Sequence, residues 1–377
     1  MFGGIGGIGG IGGIGGIGGI GGIGGIGGIG GIGGVGGLNF SGLGGFLGAG
    51  ADPVYDPLMV QGLQVTEQAI THVMGSQPPG EPGELGFSSP ENLTLWADWV
   101  RSSLYLTDFL KDFGWKVDEH RKAVQLSYGG KEFAALQRPD MDTFKQQQKF
   151  MRSYMDQRPD RSAEILTQLG FPTPYFTMIL GLQTINRFTF ELIAITQVLA
   201  AHVAMAAKHH LACRRPDRID PGVMPIIPTP AHASFPSAHA TEAFAVAELL
   251  GRFVERHKRH YGDFKSRQAL LAKLAERIAV NRTVAGVHFP IDTWAGAILG
   301  RAVGQIVLAK CDAGATVDGY SYRAKGDRDF FVKEFLKGAN ENFGVAKTAP
   351  FEVGPSPLFA FLWEKAGKEF DLHDGPR

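Results

Sequence analysis

The chain has 377 residues, 44% of them hydrophobic, a size that suits one large domain or two smaller ones. Its 37 Lys and Arg residues balance 37 Asp and Glu residues, which excludes a global charge attraction to nucleic acid, an anionic membrane surface or an acidic partner. Neither Cys213 nor Cys311 has zinc-site spacing, and two distant cysteines do not make a disulfide framework. Any anion-binding site must therefore be local.

The chain opens on a Gly-Gly-Ile repeat that runs from Phe2 to Leu38 without a charge. Its 24 glycines would each cost a helix ~1 kcal/mol relative to Ala, which excludes a membrane-spanning helix. On an extended threefold helix of polyproline II or polyglycine II type, all the Ile side chains share one edge. We expect residues 1–38 either to associate with other copies into a homo-oligomer or filament, or to behave as a flexible low-complexity tail.

Residues 39–51 continue the glycine bias as a linker, and residues 52–377 are expected to form one α-helical catalytic domain, with its site-bearing core at about 186–311. The start of the chain lacks the features of a Sec-type signal peptide. The charge-free stretch from Leu192 to Ala207 is shorter than the ~20 residues that cross a bilayer, so it predicts a buried helix and no integral membrane span. The sequence favours a soluble protein of unknown compartment and is compatible with assembly at the cell surface or outside the cell.

Helical periodicity dominates the globular part of the sequence. It predicts helices over Leu63–Met74, Asn92–Phe113, Asp142–Asp156, Tyr175–Ala212, Ala238–His260, Ser266–Val284 and Ile291–Ala309. One hairpin is expected from Lys122 to Phe133, with its turn at Gly129 and Gly130. The fold class is therefore mainly α, with a Pro- and Gly-rich loop between two long helices that is suited to carry a site.

The stretch KHHLACRRP contains two cations seven residues apart, Lys208 and Arg215. On a helix that Pro216 ends, this spacing puts both side chains on one face. Cations in the last turn of a helix also complement its dipole, so the spacing alone does not establish a site.

The stretch HASFPSAHA predicts a helix start at Pro236 and Ser237. The backbone N–H groups of Ser237, Ala238 and His239 would then be free to cradle an anion. Helix starts of this kind are common, so this signal is also weak by itself.

The stretch NRTVAGVHFPIDTWAG carries a cation, a histidine and a carboxylate. Gly286 predicts a turn that lets Arg282 and His288 converge, and Pro290 suits the first turn of the next helix. Asp292, four residues beyond His288, can then reach back to its imidazole. A carboxylate on one ring nitrogen fixes the tautomer and leaves the other nitrogen as a nucleophile or ligand.

Together the three stretches supply three cations, a hydroxyl at a helix start and two histidines: Lys208, Arg215, Arg282, Ser237, His239 and His288. Such a set binds a tetrahedral or trigonal-bipyramidal oxyanion without a divalent metal. The sequence contains neither an HExxH nor a GxxxxGK[ST] pattern, which would have favoured metal or nucleotide chemistry.

In order and spacing, the three stretches resemble the signature of the superfamily that contains the vanadium-dependent haloperoxidases and the type 2 phosphatidic-acid phosphatases, including bacterial acid phosphatases. That signature is Lys, six residues, Arg-Pro; then Pro-Ser-Gly-His; then Arg, five residues, His, three residues, Asp. The resemblance covers about Lys208 to Leu299. Ala238 stands where the family usually has Gly, and its Cβ would narrow the anion pocket.

The resemblance implies a role for each matching residue. His288 would bond to vanadate or attack a phosphoryl group, His239 would act as acid and base, and Asp292 would orient His288. The oxyanion would be bound by Lys208, Arg215, Ser237, the Ala238 amide and Arg282. The peroxidases need vanadate as cofactor, with His288 as the vanadium ligand, whereas the phosphatases need none.

Two features favour the peroxidase branch. His232 lies seven residues before His239, where bromide-oxidising haloperoxidases carry a histidine near the cofactor. The several spans of the membrane phosphatases are missing, and a long helical stretch precedes Lys208, as in soluble haloperoxidases. The main hypothesis is therefore a vanadate-dependent, haloperoxidase-like oxidoreductase that oxidises halide, preferably bromide, with hydrogen peroxide.

Two alternatives stay open at this stage. One is a metal-independent phosphohydrolase of the acid or lipid phosphatase type that works through a phosphohistidine. The other is a structural, fibre-forming protein in which the glycine repeat is the function and the phosphatase-like domain is inactive. In each case the expected partners are other copies of this chain and, for the enzymes, a small-molecule substrate.

Overall fold

A computed structural model describes residues 57–74, 80 and 83–371. The glycine repeat of residues 1–38 and the linker of residues 39–51 lie outside these described residues. The expected extended helix, and self-association through it, therefore stay predictions.

Most of the described residues are helical, as the sequence predicts. The helices are α1 Pro57–Met74, α2 Asp98–Leu110, α3 Met141–Tyr154, α4 Arg158–Thr167, α5 Thr173–Leu180, α6 Arg187–Leu211, α7 Ala238–Arg256, α8 Phe264–Val284, α9 Pro290–Lys310, α10 Val332–Phe335 and α11 Pro357–Asp371. Short 3-10 helices cover Pro90–Leu95, Met155–Gln157, Pro216–Arg218, Pro221–Val223 and Glu341–Phe343.

The long helices α6, α7, α8 and α9 form the centre of the fold and bury their apolar side chains against one another. Glycines four residues apart on α9 allow it to lie directly on α7. A Cβ built at Gly296 would lie 2.4 Å from the carbonyl oxygen of Ser237, and one at Gly300 would lie 2.4 Å from that of Thr241. This close contact fixes the start of α7 against the start of α9.

A five-stranded sheet packs beside the helices, and the mainly α prediction missed most of it. Its strands are β1 Phe113–Asp118, β2 Ala123–Tyr128, β3 Lys131–Gln137, β4 Val317–Tyr322 and β5 Val345–Phe351, in that spatial order. Strands β3 and β4 are parallel, and the other neighbours are antiparallel. The predicted hairpin is confirmed: Gly129 and Gly130 connect β2 to β3 with φ of +54° and +76°, which glycine adopts without strain.

Several predicted helices are wrong in their extent. The helix expected to begin at Leu63 begins at Pro57, and the one expected to reach His260 ends at Arg256. The helix expected from Tyr175 to Ala212 is divided into α5 and α6, because Gly181 adopts a left-handed φ of +69° and ends α5. The helix expected to reach Phe113 ends at Leu110, and Phe113 begins a strand instead.

Within the described residues, one segment, Arg187–Arg218, is long and apolar enough to cross a membrane by length and composition. Of its most apolar window, 78% is buried inside the protein. The stretch from Leu192 to Ala207 thus lies within a helix that the other helices cover, as expected for a core helix.

Candidate active site

The three sequence stretches meet where four helices begin or end. Lys208 lies in the last turn of α6, Ser237 caps α7, Arg282 lies in the last turn of α8, and Asp292 lies in the first turn of α9. Helix termini carry the backbone groups that have no partner within the helix, so charged and polar side chains gather there.

Arg215 reaches the site by a different route from the one predicted. Helix α6 ends at Leu211, because Ala212 adopts a left-handed φ of +47° and its N–H bonds to the carbonyl of Lys208 at 2.9 Å. Arg215 therefore lies on an extended segment beyond the helix, with φ of −73° and ψ of 157°. The expectation that Lys208 and Arg215 share one helical face is wrong, although both contribute to the same site.

His288 and Asp292 form the predicted pair. Gly286 has a φ of +88° and turns the chain out of α8, while Pro290 occupies the first turn of α9. The N–H at Nδ1 of His288 then donates to Oδ2 of Asp292 at 2.9 Å. This bond leaves Nε2 of His288 as the ring nitrogen with a lone pair.

One oxygen of Asp292 accepts two further hydrogen bonds, from the Ser234 hydroxyl and from the Phe289 amide at 3.0 Å. Burial raises the pKa of Asp292 to about 6, against these two hydrogen bonds, which lower it. At neutral pH the group is therefore ionised and able to hold the His288 tautomer. Ser234 was not identified from the sequence.

Arg215 contacts both His288 and His232. Its Nη1 donates to Nε2 of His288 at 2.9 Å and to the carbonyl of Val287 at 2.7 Å. Its Nε donates to the carbonyl of His232 at 2.9 Å, and its Nη2 donates to Nδ1 of that residue at 3.1 Å. Burial, followed by the charges of Lys208 and Arg215, lowers the pKa of His232 to about 2, so it is a neutral support for Arg215.

The other two cations are held mainly by backbone carbonyls. Lys208 Nζ donates to the carbonyls of Ala233 and Ser234 at 2.6 and 2.8 Å, and Arg282 Nη2 donates to that of Ile165 at 3.1 Å. Burial lowers the pKa of Arg282 to about 10 and moves the pKa of Lys208 well below its usual value, helped by the charge of Arg215. Both shifts mean that burial disfavours the positive charge of these side chains. A bound oxyanion would stabilise that charge.

The start of α7 was predicted to offer three free amides, those of Ser237, Ala238 and His239, and it offers two of them. Ser237 is the N-cap, and its hydroxyl accepts the Ala240 amide at 3.3 Å. Its own amide is not free, because it donates to the carbonyl of Asp292 at 2.9 Å. The amides of Ala238 and His239 make no hydrogen bond among the described residues and remain available at the positive end of α7.

His239 is buried, and its Nε2 donates to the carbonyl of Gln168 at 3.0 Å. Burial, followed by the charges of Arg282, Arg215 and Lys208, lowers the pKa of His239 to about 3. The side chain of Gln168 is held in turn by Asn281, whose Nδ2 donates to Oε1 at 2.9 Å. Gln168 precedes the signature by about 40 residues, and no local pattern marks it.

The arrangement combines an oriented histidine, three buried cations and two helix-start amides. In the described part of the chain, no group of three or more His, Cys, Asp or Glu side chains is arranged to hold a metal ion. The geometry suits a group that carries negative charge on several oxygens and has an electrophilic centre within reach of Nε2 of His288.

A model of the PAP2 superfamily matches residues 189–312. These residues form a PAP2 superfamily domain. Two curated proteins from Mycobacterium tuberculosis, from strains CDC 1551 / Oshkosh and ATCC 25618 / H37Rv, are each named decaprenylphosphoryl-5-phosphoribose phosphatase and are 35% identical to this chain over 117 residues. Each match covers 31% of this chain and 58% of the relative.

A solved structure, the first transmembrane PAP2 type phosphatidylglycerolphosphate phosphatase from Bacillus subtilis, aligns with 44% of this chain and 93% of its own. Its sequence identity is 19% and its TM-score is 0.28. A likeness at that level adds nothing to the assignment of the PAP2 domain.

The haloperoxidase hypothesis is wrong, because the curated relatives of the PAP2 domain are named as phosphatases. His232, one of the two features that favoured it, does not separate the branches. His232 supports Arg215, a role that serves any bound oxyanion. The vanadate cofactor, and His288 as its vanadium ligand, depend on that hypothesis, and no comparison tests them.

Proposed function

We propose that this protein is a phosphohydrolase that cleaves phosphate monoesters through a phosphohistidine at His288. The observation that carries the proposal is the hydrogen-bonded series Ser234, Asp292, His288, Arg215, which presents Nε2 of His288 beside a cation. The phosphatase names of the relatives of the PAP2 domain support the same chemistry.

In the first step, Nε2 of His288 attacks phosphorus, a P–N bond forms and the ester P–O bond breaks. The Nη1 hydrogen that Arg215 donates to Nε2 must turn to a phosphoryl oxygen, and Nε and Nη2 can keep the guanidinium in place meanwhile, because they donate to the carbonyl and the ring of His232. Asp292 stabilises the positive charge that develops on the ring. Lys208, Arg282 and the amides of Ala238 and His239 hold the remaining oxygens.

His239 is assigned as the acid that protonates the leaving alcohol oxygen. With a pKa of about 3 it is neutral in the free protein at physiological pH. A phosphate dianion would offset the charges of Arg282, Arg215 and Lys208 that lower this pKa, so substrate binding itself promotes protonation of His239. In the second step neutral His239 takes a proton from water, which attacks phosphorus and breaks the P–N bond.

The natural substrate class is a phosphate monoester, and the names of the relatives make a phosphosugar linked to a polyprenyl phosphate the first physiological candidate to assay. A model substrate such as p-nitrophenyl phosphate tests the chemistry before the substrate is known. Orthovanadate, which imitates the transition state of phosphoryl transfer, should act as a competitive inhibitor.

The deciding experiment compares His288→Ala with the wild type in p-nitrophenyl phosphate hydrolysis. We expect kcat to fall by at least about 10³-fold, because the nucleophile is removed. His120→Ala is the matched control, since His120 is exposed in the turn between β1 and β2. Quenched wild-type protein should also carry an acid-labile phosphate on His288, detected by mass spectrometry. Full activity of His288→Ala would refute the mechanism.

A further inference from the structure

Three segments bring positive charge to one end of the sheet. Because β3 and β4 are parallel, with Leu136 opposite Tyr322, the residues that follow them leave the sheet at the same edge. Arg138 follows β3 and Arg323 follows β4. The turn before β2 reaches the same edge, where the Arg138 amide donates to the carbonyl of Lys122 at 2.8 Å.

These residues surround a cavity of about 430 Å³, which we name the basic cavity. Its wall contains five cationic side chains, Arg121, Lys122, Arg138, Arg214 and Arg323. All five are exposed to solvent. The whole chain has no net charge, so this cluster of positive side chains is a local feature and not a consequence of composition.

The cations of the basic cavity are poorly neutralised. Of the five, only Arg121 forms a salt bridge within the described residues, to Asp118 at 3.7 Å. The one carboxylate in the wall, Asp140, caps α3, where it accepts the Thr143 amide at 2.7 Å, and its charge offsets that of Arg323 in part. Five like charges with few carboxylates beside them repel one another, so the arrangement favours an anion between them.

The basic cavity is separate from the candidate active site but adjacent to it. Cys213 lies in the wall of the cavity, and its carbonyl accepts the amide of Ser234, whose hydroxyl donates to Asp292. Along the extended segment that follows, the exposed Arg214 lines the cavity, whereas the buried Arg215 contacts His288. One short segment therefore forms part of both sites.

We propose that the basic cavity is a second anion-binding site, and that it takes a group with two or more clustered phosphates. A single phosphate would satisfy few of the five cations, whereas the volume of the cavity accommodates a condensed phosphate. The proposal is independent of the catalytic function, because the residues that define it have no part in the phosphohistidine mechanism. The phosphates come either from a small molecule in solution or from lipid headgroups.

The test measures the binding of tripolyphosphate to the full-length protein by isothermal titration calorimetry at low salt. In the double variant Arg138→Gln/Arg323→Gln, the affinity of the basic cavity for tripolyphosphate should fall at least tenfold. Any binding of tripolyphosphate to the candidate active site should be unchanged. Lys258→Gln/Arg259→Gln is the matched control, because it removes two exposed charges from the turn that follows α7. The control should bind tripolyphosphate like the wild type.

Three outcomes decide the matter. If only the Arg138→Gln/Arg323→Gln variant loses binding while its circular dichroism and p-nitrophenyl phosphate hydrolysis stay unchanged, the site is established. If tripolyphosphate does not bind but vesicles containing cardiolipin, whose headgroup carries two phosphates, bind in a manner that this variant abolishes, the site stands and headgroups are the source. If the variant and the control behave alike with both probes, the proposal is overturned, whatever the fate of the catalytic mechanism.

Discussion

The cations of the candidate active site and those of the basic cavity differ in what holds them. Lys208 and Arg282 are each 2% exposed and donate to backbone carbonyls. Arg138 and Arg323 are exposed, and no carboxylate in the described part of the chain forms a salt bridge with them. The buried cations are therefore preorganised for one geometry, whereas the exposed ones can adapt to anions of different shape and are screened by salt.

The largest expected effect tests how rigidly the helical region is packed. In Gly300→Val, the new Cβ would lie 2.4 Å from the carbonyl oxygen of Thr241 and 2.8 Å from the Cβ of Phe244, so α9 must move away from α7. We expect the free energy of unfolding to fall by more than about 3 kcal/mol in urea denaturation. Gly262→Val, where a Cβ meets nothing within 4 Å, should cost much less. Equal losses would show that the contact between the helices is not tight.

The next effect concerns the orientation of the nucleophile. Asp292→Asn should lower kcat for p-nitrophenyl phosphate by about 10²- to 10⁴-fold, because the amide no longer enforces the tautomer with a proton on Nδ1 of His288. Asp156→Asn, at an exposed site in the 3-10 helix Met155–Gln157, is the control. Activity of the Asp292→Asn variant within about threefold of the wild type would remove Asp292 from the mechanism.

A smaller effect tests Ser234, which supports Asp292 from outside the signature residues. Ser234→Ala should reduce kcat/KM by about threefold to tenfold, the value of one buried hydrogen bond. That bond lowers the pKa of Asp292, so its loss raises the pKa above about 6 and shifts the acidic fall of kcat/KM to higher pH. An unchanged pH profile of kcat/KM would show that Ser234 contributes only to packing. Ser266→Ala, at an exposed position, is the control.

The same variant makes a prediction about stability. The pKa of Asp292 in the folded protein lies above its ordinary value of 3.8, so ionising this carboxylate costs native stability as the pH rises through about 6. Ser234→Ala should increase that cost. The difference in melting temperature between Ser234→Ala and the wild type should be larger at about pH 7 than at about pH 4.5.

The last comparison is the difference in salt dependence between the two sites, which we expect to be about threefold or more. Between about 0.05 and 0.3 M KCl we expect KM for p-nitrophenyl phosphate to change by less than about threefold, and the Kd for tripolyphosphate at the basic cavity to rise by about tenfold or more. Enzyme kinetics and calorimetry on the same preparation measure both. Equal salt dependence would show that the buried cations are as accessible to ions as the exposed ones.

The sequence predicts the candidate active site better than it predicts the fold, for a physical reason. His288 and Asp292 are four residues apart at a helix start, so local geometry alone brings them together. Ser234 and Gln168 join the site only through tertiary packing, and neither stands in a local pattern that differs from an ordinary loop. Arg215 was wrongly expected on the helical face of Lys208, because Ala212, which has a Cβ, occupies a left-handed position that usually selects Gly.

The sheet was mostly missed because its edge strands, β1 and β5, carry weak alternation. In β1 the burial pattern has no regular period of two, and β4 pairs in parallel with β3 although some 180 residues separate them in sequence. Only the hairpin between β2 and β3 has a local signal, the two glycines of its turn. The basic cavity depends on that long-range pairing of β3 with β4. For this reason the sequence does not predict that Arg138 and Arg323 lie close together.

The use of main-chain carbonyls as partners also has a consequence for sequence variation. Ala233, Ile165 and Gln168 contribute an oxygen that no substitution of their side chains removes. Substitutions that keep the backbone path therefore leave these oxygens in place. Ile165 and Gln168 are buried, and Asn281 holds the Gln168 side chain, so packing restricts those two positions. The electrostatics of the site are thus inherited with the fold, and Ala233, which is half-buried, is the position where side-chain variation disturbs them least.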